Sequence, residues 1–161
     1  MACRVDPGTF HTPPSLQPAR QALLEGKEAE SDYYSSHALE SGDRVPAAAL
    51  YRAVFYLKFG YSAQLAKPLI ESYLTKMVEL ASESSSSSSK NYYSQKDGNS
   101  VRTILVDPLY YYARYFYWKV GGSLAKNDKL AAAEALAAFR TYEGSDKWLT
   151  EDDDVDRYEC G

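Results

Sequence analysis

The sequence predicts an all-α fold, an up-down four-helix bundle with a kinked or split second helix and flexible tails. Three observations lead there. Apolar residues recur every three to four positions along most of the chain, the spacing of one helical face. No apolar/polar alternation runs longer than a few residues, and the chain is poor in Val, Ile and Thr, which favour strands. Seven of the nine residues from Tyr110 to Trp118 are aromatic, broken only by Ala113 and Arg114. At about 3.6 residues per turn these rings point all round a helix, and such a helix is normally enclosed by other elements or by a partner.

The elements follow in order. Residues 1–14 read as an extended N-terminal tail, because Pro7-Gly8 and Pro13-Pro14 break helices. Ser15 is placed to cap the first helix, with Pro18 tolerated in its first turn. Leu16, Ala19, Leu23, Ala29, Tyr33 and His37 share a face. Gly26 weakens its middle, and Ser41-Gly42 ends it. Asp43 caps the second helix, with Pro46 in the first turn. Its stripe runs from Leu50 and Val54 through Leu65 and Ile70 to Met77 and Leu80. Gly60 and Pro68 interrupt it, so a kink or break is expected within 60–68. Residues 82–100 form a long loop, with six consecutive serines from Ser84 to Ser89. This polar stretch cannot bury enough apolar area to offset its ordering entropy. It is either a solvated connector or a docking or phosphorylated loop. The third helix is placed at 101–123, its regular part capped by Asp107 with Pro108 in the first turn. Asn127 or Asp128 caps the fourth, which runs to Gly144. Its alanines, from Ala131 to Ala138, allow close approach to the ring-rich third helix. Trp148 and Leu149 fold back on the bundle. The helical domain is therefore 15–150, and 151–161 is an acidic tail.

The chain has 161 residues, 45% hydrophobic and 25% charged, enough for one domain with a real core. A formal net charge of -4 argues against a nucleic-acid binder, which needs a basic face. No apolar run approaches the roughly 18 residues of a membrane span. Residues 1–20 are polar and proline-rich, unlike a signal peptide. Neither histidine, His11 or His37, has another at ligand spacing. The acidic run Asp152, Asp153, Asp154 and Asp156 lacks the glycine and the bidentate glutamate of a helix–loop–helix calcium site. It reads better as a solvated tail or an electrostatic dock for a basic partner. No glycine-rich phosphate loop or nucleophile elbow is present. No catalytic, cofactor or metal site is therefore assigned. Cys3 and Cys160 lie at opposite ends, so they form either a disulfide joining the termini or two free thiols.

The ring-rich helix admits three readings: a tyrosine-rich core, an anchoring face for a protein partner, or a pocket for an apolar ligand or pigment. For the partner face the candidate residues are Tyr110, Tyr111, Arg114, Tyr115 and Trp118, joined by Asp152, Asp153 and Asp154 of the tail. The stretch Leu109-Tyr110-Tyr111-Tyr112-Ala113-Arg114, set after Asp107-Pro108 in an acidic helical chain with a proline-rich start around Pro13-Pro14, resembles the PsbQ-like extrinsic lumenal subunits of photosystem II. The resemblance implies a four-helix bundle that docks on membrane-embedded photosystem subunits. It also implies a soluble protein peripheral to the membrane, in the thylakoid lumen after removal of a leader. The serine loop, the terminal cysteines and the acidic end depart from that family. The leading expectation is a non-enzymatic accessory subunit that stabilises a larger complex, using exposed rings of the third helix and one of the tails. The alternative is a carrier of a small apolar ligand or pigment, with a cavity beside Tyr112 and Phe116.

Overall fold

The structure, a computed structural model, describes residues 3–7, 13–41, 45–84, 94–96, 102–121, 128–142, 144–151 and 153. It is mostly helical. Among the described residues there are six α-helices: α1 (Gln17–Glu25), α2 (Glu28–Glu40), α3 (Ala47–Lys58), α4 (Ala63–Ser84), α5 (Leu109–Lys119) and α6 (Asp128–Arg140). Three strands accompany them: β1 (Cys3–Pro7), β2 (Ser94–Lys96) and β3 (Arg102–Val106).

The expected first helix is divided in two at Gly26. Its φ of 73° is left-handed, and its N–H donates back to the carbonyls of Ala22 and Leu23, so it closes α1. A residue without a Cβ takes this conformation at little cost, so glycine ends the helix here. Ser15 is not the cap it was expected to be. It lies in a short 3-10 turn, Pro14–Leu16, and Leu16 precedes α1 with no side-chain cap. The expected break in the second helix falls at Phe59–Ser62. Gly60 has a φ of 79°, and the Ser62 hydroxyl accepts the Gln64 N–H at 3.3 Å. Pro68 lies inside α4, which continues through it.

The small sheet was not legible in the sequence. Its strand order is β1-β3-β2. β1 pairs parallel with β3, Val5 opposite Ile104, and β2 pairs antiparallel with it, Gln95 opposite Thr103. Residues 102–106, expected as helix, are thus a strand, and the helix starts only at Leu109. Thr103, Ile104 and Val106 are β-branched and fit a pleated surface. Of the expected extended N-terminal tail, Cys3–Pro7 is docked as a strand rather than loose, and residues 1–2 and 8–12 lie outside the described residues.

The core centres on α3. Nine of its twelve residues are buried, including Leu50, Tyr51, Val54, Phe55 and Leu57. It is apolar nearly all round because α1, α2, α4 and α5 all pack on it. α5 packs on the alanine-rich α6, where Ala132, Ala135, Leu136 and Phe139 are buried. Trp148 folds back as expected, 5% exposed, with its ring 5.8 Å from that of Tyr112.

Candidate functional site

The most unusual surface belongs to α2, whose amphipathy is inverted. The side chains it buries are Ser31 and Ser35, both fully enclosed. The Ser31 hydroxyl donates to the Lys27 carbonyl at 2.6 Å, and the Ser35 hydroxyl accepts from Arg52 at 3.1 Å. Small satisfied hydroxyls let α2 approach its neighbours closely without an unpaired polar atom. Its large apolar side chains face outward instead: Tyr33 is 62% exposed, and Tyr34 and Leu39 are each 38% exposed. Tyr33 meets Tyr34 edge-on at 5.2 Å and stacks on His37 at 5.8 Å.

Beside these rings lies an open groove of about 620 Å³, lined by Ser15, Pro18, Tyr34, His37, Ala38, Ser41 and Val45. Tyr34, His37, Ala38 and Ser41 recur at helical spacing, so one face of α2 forms a wall. The helix carries four carboxylates, Glu28, Glu30, Asp32 and Glu40, and no Lys or Arg. Two of these are engaged locally. Asp32 pairs with Arg52 at 2.6 Å, and Glu28 accepts from the exposed Tyr61 hydroxyl at 3.0 Å. Glu30 and Glu40 are solvent-facing. Of the groove residues, Ser15, Pro18, His37 and Ser41 figure in the sequence analysis as helix-end or helix-face positions, none as a site residue. A search for a helix with its serines on the inner face and its tyrosines outside would have found it.

The ring-rich helix, where the anchoring face was expected, is occupied within the chain. Tyr110, Tyr111 and Tyr115 are buried, as are Tyr112 and Tyr117. Tyr110 lies 5.9 Å from the Tyr73 ring, and Tyr112 is packed by Phe116, Phe139 and Trp148 at 5.3–5.8 Å. The expectation that these rings are exposed is therefore corrected. α6 on one side, and α3 and α4 on others, cover the helix. Arg114 and Trp118 are partly exposed, and the Arg114 guanidinium donates to the Tyr110 hydroxyl at 3.1 Å. The space beside Tyr112, where a carrier cavity was expected, is filled by these rings.

The tyrosine hydroxyls have a second use, in a buried polar cluster around Asp107. Its Oδ1 accepts the Leu109 N–H at 2.9 Å, which caps α5 as the sequence suggested. Its Oδ2 accepts the Tyr51 hydroxyl at 2.8 Å, and its own N–H donates to the Tyr73 hydroxyl at 2.8 Å. Arg20 donates to Tyr51 at 3.2 Å and to the Tyr142 hydroxyl, and lies 3.8 Å from Oδ1. Burial pushes the Asp107 carboxyl above its ordinary range, while the Leu109 N–H, Arg20 and Tyr51 pull it back. Burial, reinforced by the Asp107 charge, drives the Tyr73 hydroxyl far up. Arg20 is only 15% exposed. The cluster joins α1, α3, α4 and α5.

Asp153, expected in an exposed acidic tail, is 5% exposed. Its carboxylate pairs with Lys119 and accepts the Tyr115 hydroxyl at 3.1 Å. Its other oxygen accepts the Thr150 N–H at 2.7 Å and the Thr150 hydroxyl at 3.3 Å. Arg140 donates to its carbonyl at 2.8 Å. Burial alone would push the carboxyl up, but Lys119, the Thr150 N–H and Tyr115 hold it below its ordinary range. Lys58 lies 5.2 Å from the Trp148 ring, its amine pushed down by burial against the opposing pull of Asp153. Asp153 is thus an internal anchor. Asp152, Asp154 and Cys160 lie outside the described residues, as do Asp43 and Asn127.

Among the described residues, no group of three or more His, Cys, Asp and Glu side chains is arranged to hold a metal ion. None of the described helices is long and apolar enough to cross a membrane. No protein-family model matches the chain, and neither do curated proteins or solved structures.

Proposed function

We propose that this chain is a non-enzymatic accessory subunit that docks on and stabilises a larger assembly through the outer face of α2 and the adjoining groove. The observation that carries the reading is the inversion of α2, which buries Ser31 and Ser35 and exposes Tyr33, Tyr34 and Leu39. Large side chains contribute most when buried, so a helix that turns them outward gains by being covered. Tyrosine is a favoured anchor at such contacts. The occupant is a basic segment of the partner with apolar anchors. The solvent-facing carboxylates Glu30 and Glu40, on a helix with no basic residue among its thirteen except His37, provide the complement.

The PsbQ-like resemblance makes a photosynthetic membrane complex, reached from the lumenal side, the assembly to test first. In that reading α1 with α2, and α3 with α4, are two divided helices of an elaborated four-helix bundle. The second reading, a carrier of a small apolar ligand or pigment, draws support from the groove volume of about 620 Å³, within the usual range for ligand sites.

The test uses the tagged full chain and detergent-solubilised photosynthetic membranes at low and high salt, with a Tyr34→Ala, Glu30→Lys variant beside the wild type. Recovery of one complex by the wild type at low salt, lost at high salt and lost by the variant, supports docking through α2. Equal recovery by the variant, or no recovery by either protein, overturns it. A pigment or lipid that co-purifies with the wild type and not with the variant moves the assignment to the carrier.

A further inference from the structure

We propose that Thr150 is a phosphorylation site for an acidophilic Ser/Thr kinase, and that its modification releases the segment 144–153 from the helices it straps. The sequence around it has the chemistry such kinases select. Thr150 is followed directly by four carboxylates, Glu151, Asp152, Asp153 and Asp154, of which Glu151 is exposed and Asp153 is turned inward against Lys119. Thr150 is exposed, in a segment outside regular secondary structure between the 3-10 turn Ser145–Lys147 and Asp153.

The geometry makes this hydroxyl part of a latch. Its Oγ lies 3.3 Å from Asp153 Oδ2, and the Thr150 N–H donates to the same oxygen at 2.7 Å. The other Asp153 oxygen holds Lys119 and Tyr115 of α5, and its carbonyl holds Arg140 at the end of α6. Asp153 therefore ties the strap to two helices, to α5 through its carboxylate and to α6 through its backbone carbonyl. Between the left-handed Gly144 and this latch lies Trp148, set among Tyr112, Arg20 and Lys58.

In the reaction the Thr150 oxygen forms a bond to the γ-phosphorus of a nucleoside triphosphate. The bond to the diphosphate leaving group breaks, and the hydroxyl proton passes to the kinase base. The product lacks the hydroxyl donor and carries up to two negative charges beside the Asp153 carboxylate. Like charges at this separation repel, and the phosphate competes with Asp153 for Lys119 and Arg140. The strap then loses its anchor, and Trp148 leaves its slot.

The test uses the full chain with Trp118→Phe, so that Trp148 is the one tryptophan left. The protein is incubated with ATP and an acidophilic kinase, and the phosphate is mapped by mass spectrometry. Expected are phosphate on Thr150, a red shift of Trp148 emission, and new protease cleavage within 144–153. Thr150→Val, which keeps the side-chain shape, should take no phosphate there and show no shift. Thr150→Glu should shift without kinase. Phosphate found only elsewhere, such as on Ser84–Ser89, overturns the site. Phosphate on Thr150 with unchanged Trp148 emission and cleavage overturns the release.

Discussion

Replacing Tyr51 by Phe removes one oxygen from the centre of the molecule and leaves the ring. That oxygen donates to Asp107 at 2.8 Å and accepts from Arg20 at 3.2 Å. A hydrogen bond to a charged group contributes about 1.5–3 kcal/mol net, and here the lost donor also leaves a fully buried carboxylate oxygen short of a partner. No cavity term is added, because the ring volume is kept. The expected loss is about 2–3 kcal/mol, a substantial part of the roughly 5–15 kcal/mol that holds a typical domain together. In urea, with a slope of about 2 kcal/mol per molar, the unfolding midpoint should fall by about 1 M at unchanged slope. The control is Tyr33→Phe, which removes a hydroxyl from a mostly exposed ring and should stay within about 0.5 kcal/mol. A double-mutant cycle with Asp107→Asn should give a coupling of about 1–2 kcal/mol, since the two groups touch. A midpoint shift no larger than that of Tyr33→Phe would refute the reasoning. The Asp107 cluster would then be incidental to stability.

Three further predictions rest on other parts of the fold. Asp153→Asn should cost about 3 kcal/mol near neutral pH, because a buried carboxylate that holds Lys119, Tyr115 and the Thr150 N–H loses its charge. The folded Asp153 carboxyl lies below its ordinary 3.8, so its contribution is present above that pH and lost as pH falls through the folded value. Urea midpoints of wild type and variant should therefore converge in acid; a constant gap down to the acid limit contradicts the assignment. Gly26→Ala should cost about 1–2 kcal/mol through the left-handed backbone alone, since no atom lies within 4 Å of the added Cβ. A neutral thermal melt would show that the chain relaxes there. Pro68→Ala should stabilise by about 1–3 kcal/mol, because the exposed ring lies inside α4 and removes a helical donor. A lower melting temperature for this variant would mean that the proline serves the path of α4.

Much of the helical layout was readable because periodicity is a local property. The α5 start at Asp107-Pro108, the break after Phe59 and the fold-back of Trp148 all rest on a few adjacent residues with strong backbone or burial preferences. The small sheet was missed because β1 and β3 are about a hundred residues apart, and each is only five residues long. Within so short a run, Ile104, Leu105 and Val106 fit a helical stripe as well as a buried strand. The candidate site was misplaced for a related reason. The density of rings on α5 marks how much that helix must bury, not which neighbour covers it.

From its sequence alone this chain is a mostly helical, acidic protein with a tyrosine-heavy core, because composition and spacing determine which segments gain by hiding a face. Only the tertiary structure decided which hydroxyls and carboxylates are inside. Asp107 and Asp153 became buried anchors because Tyr51 and Arg20, and Lys119 and Tyr115, converge on them from distant positions. The tyrosines of α5 are buried against other helices while Tyr33 and Tyr34 stay at the surface, because α2 meets its neighbours through serines. A solvent-facing ring and a core ring are chemically the same residue, and the difference lies in what the rest of the chain places against them.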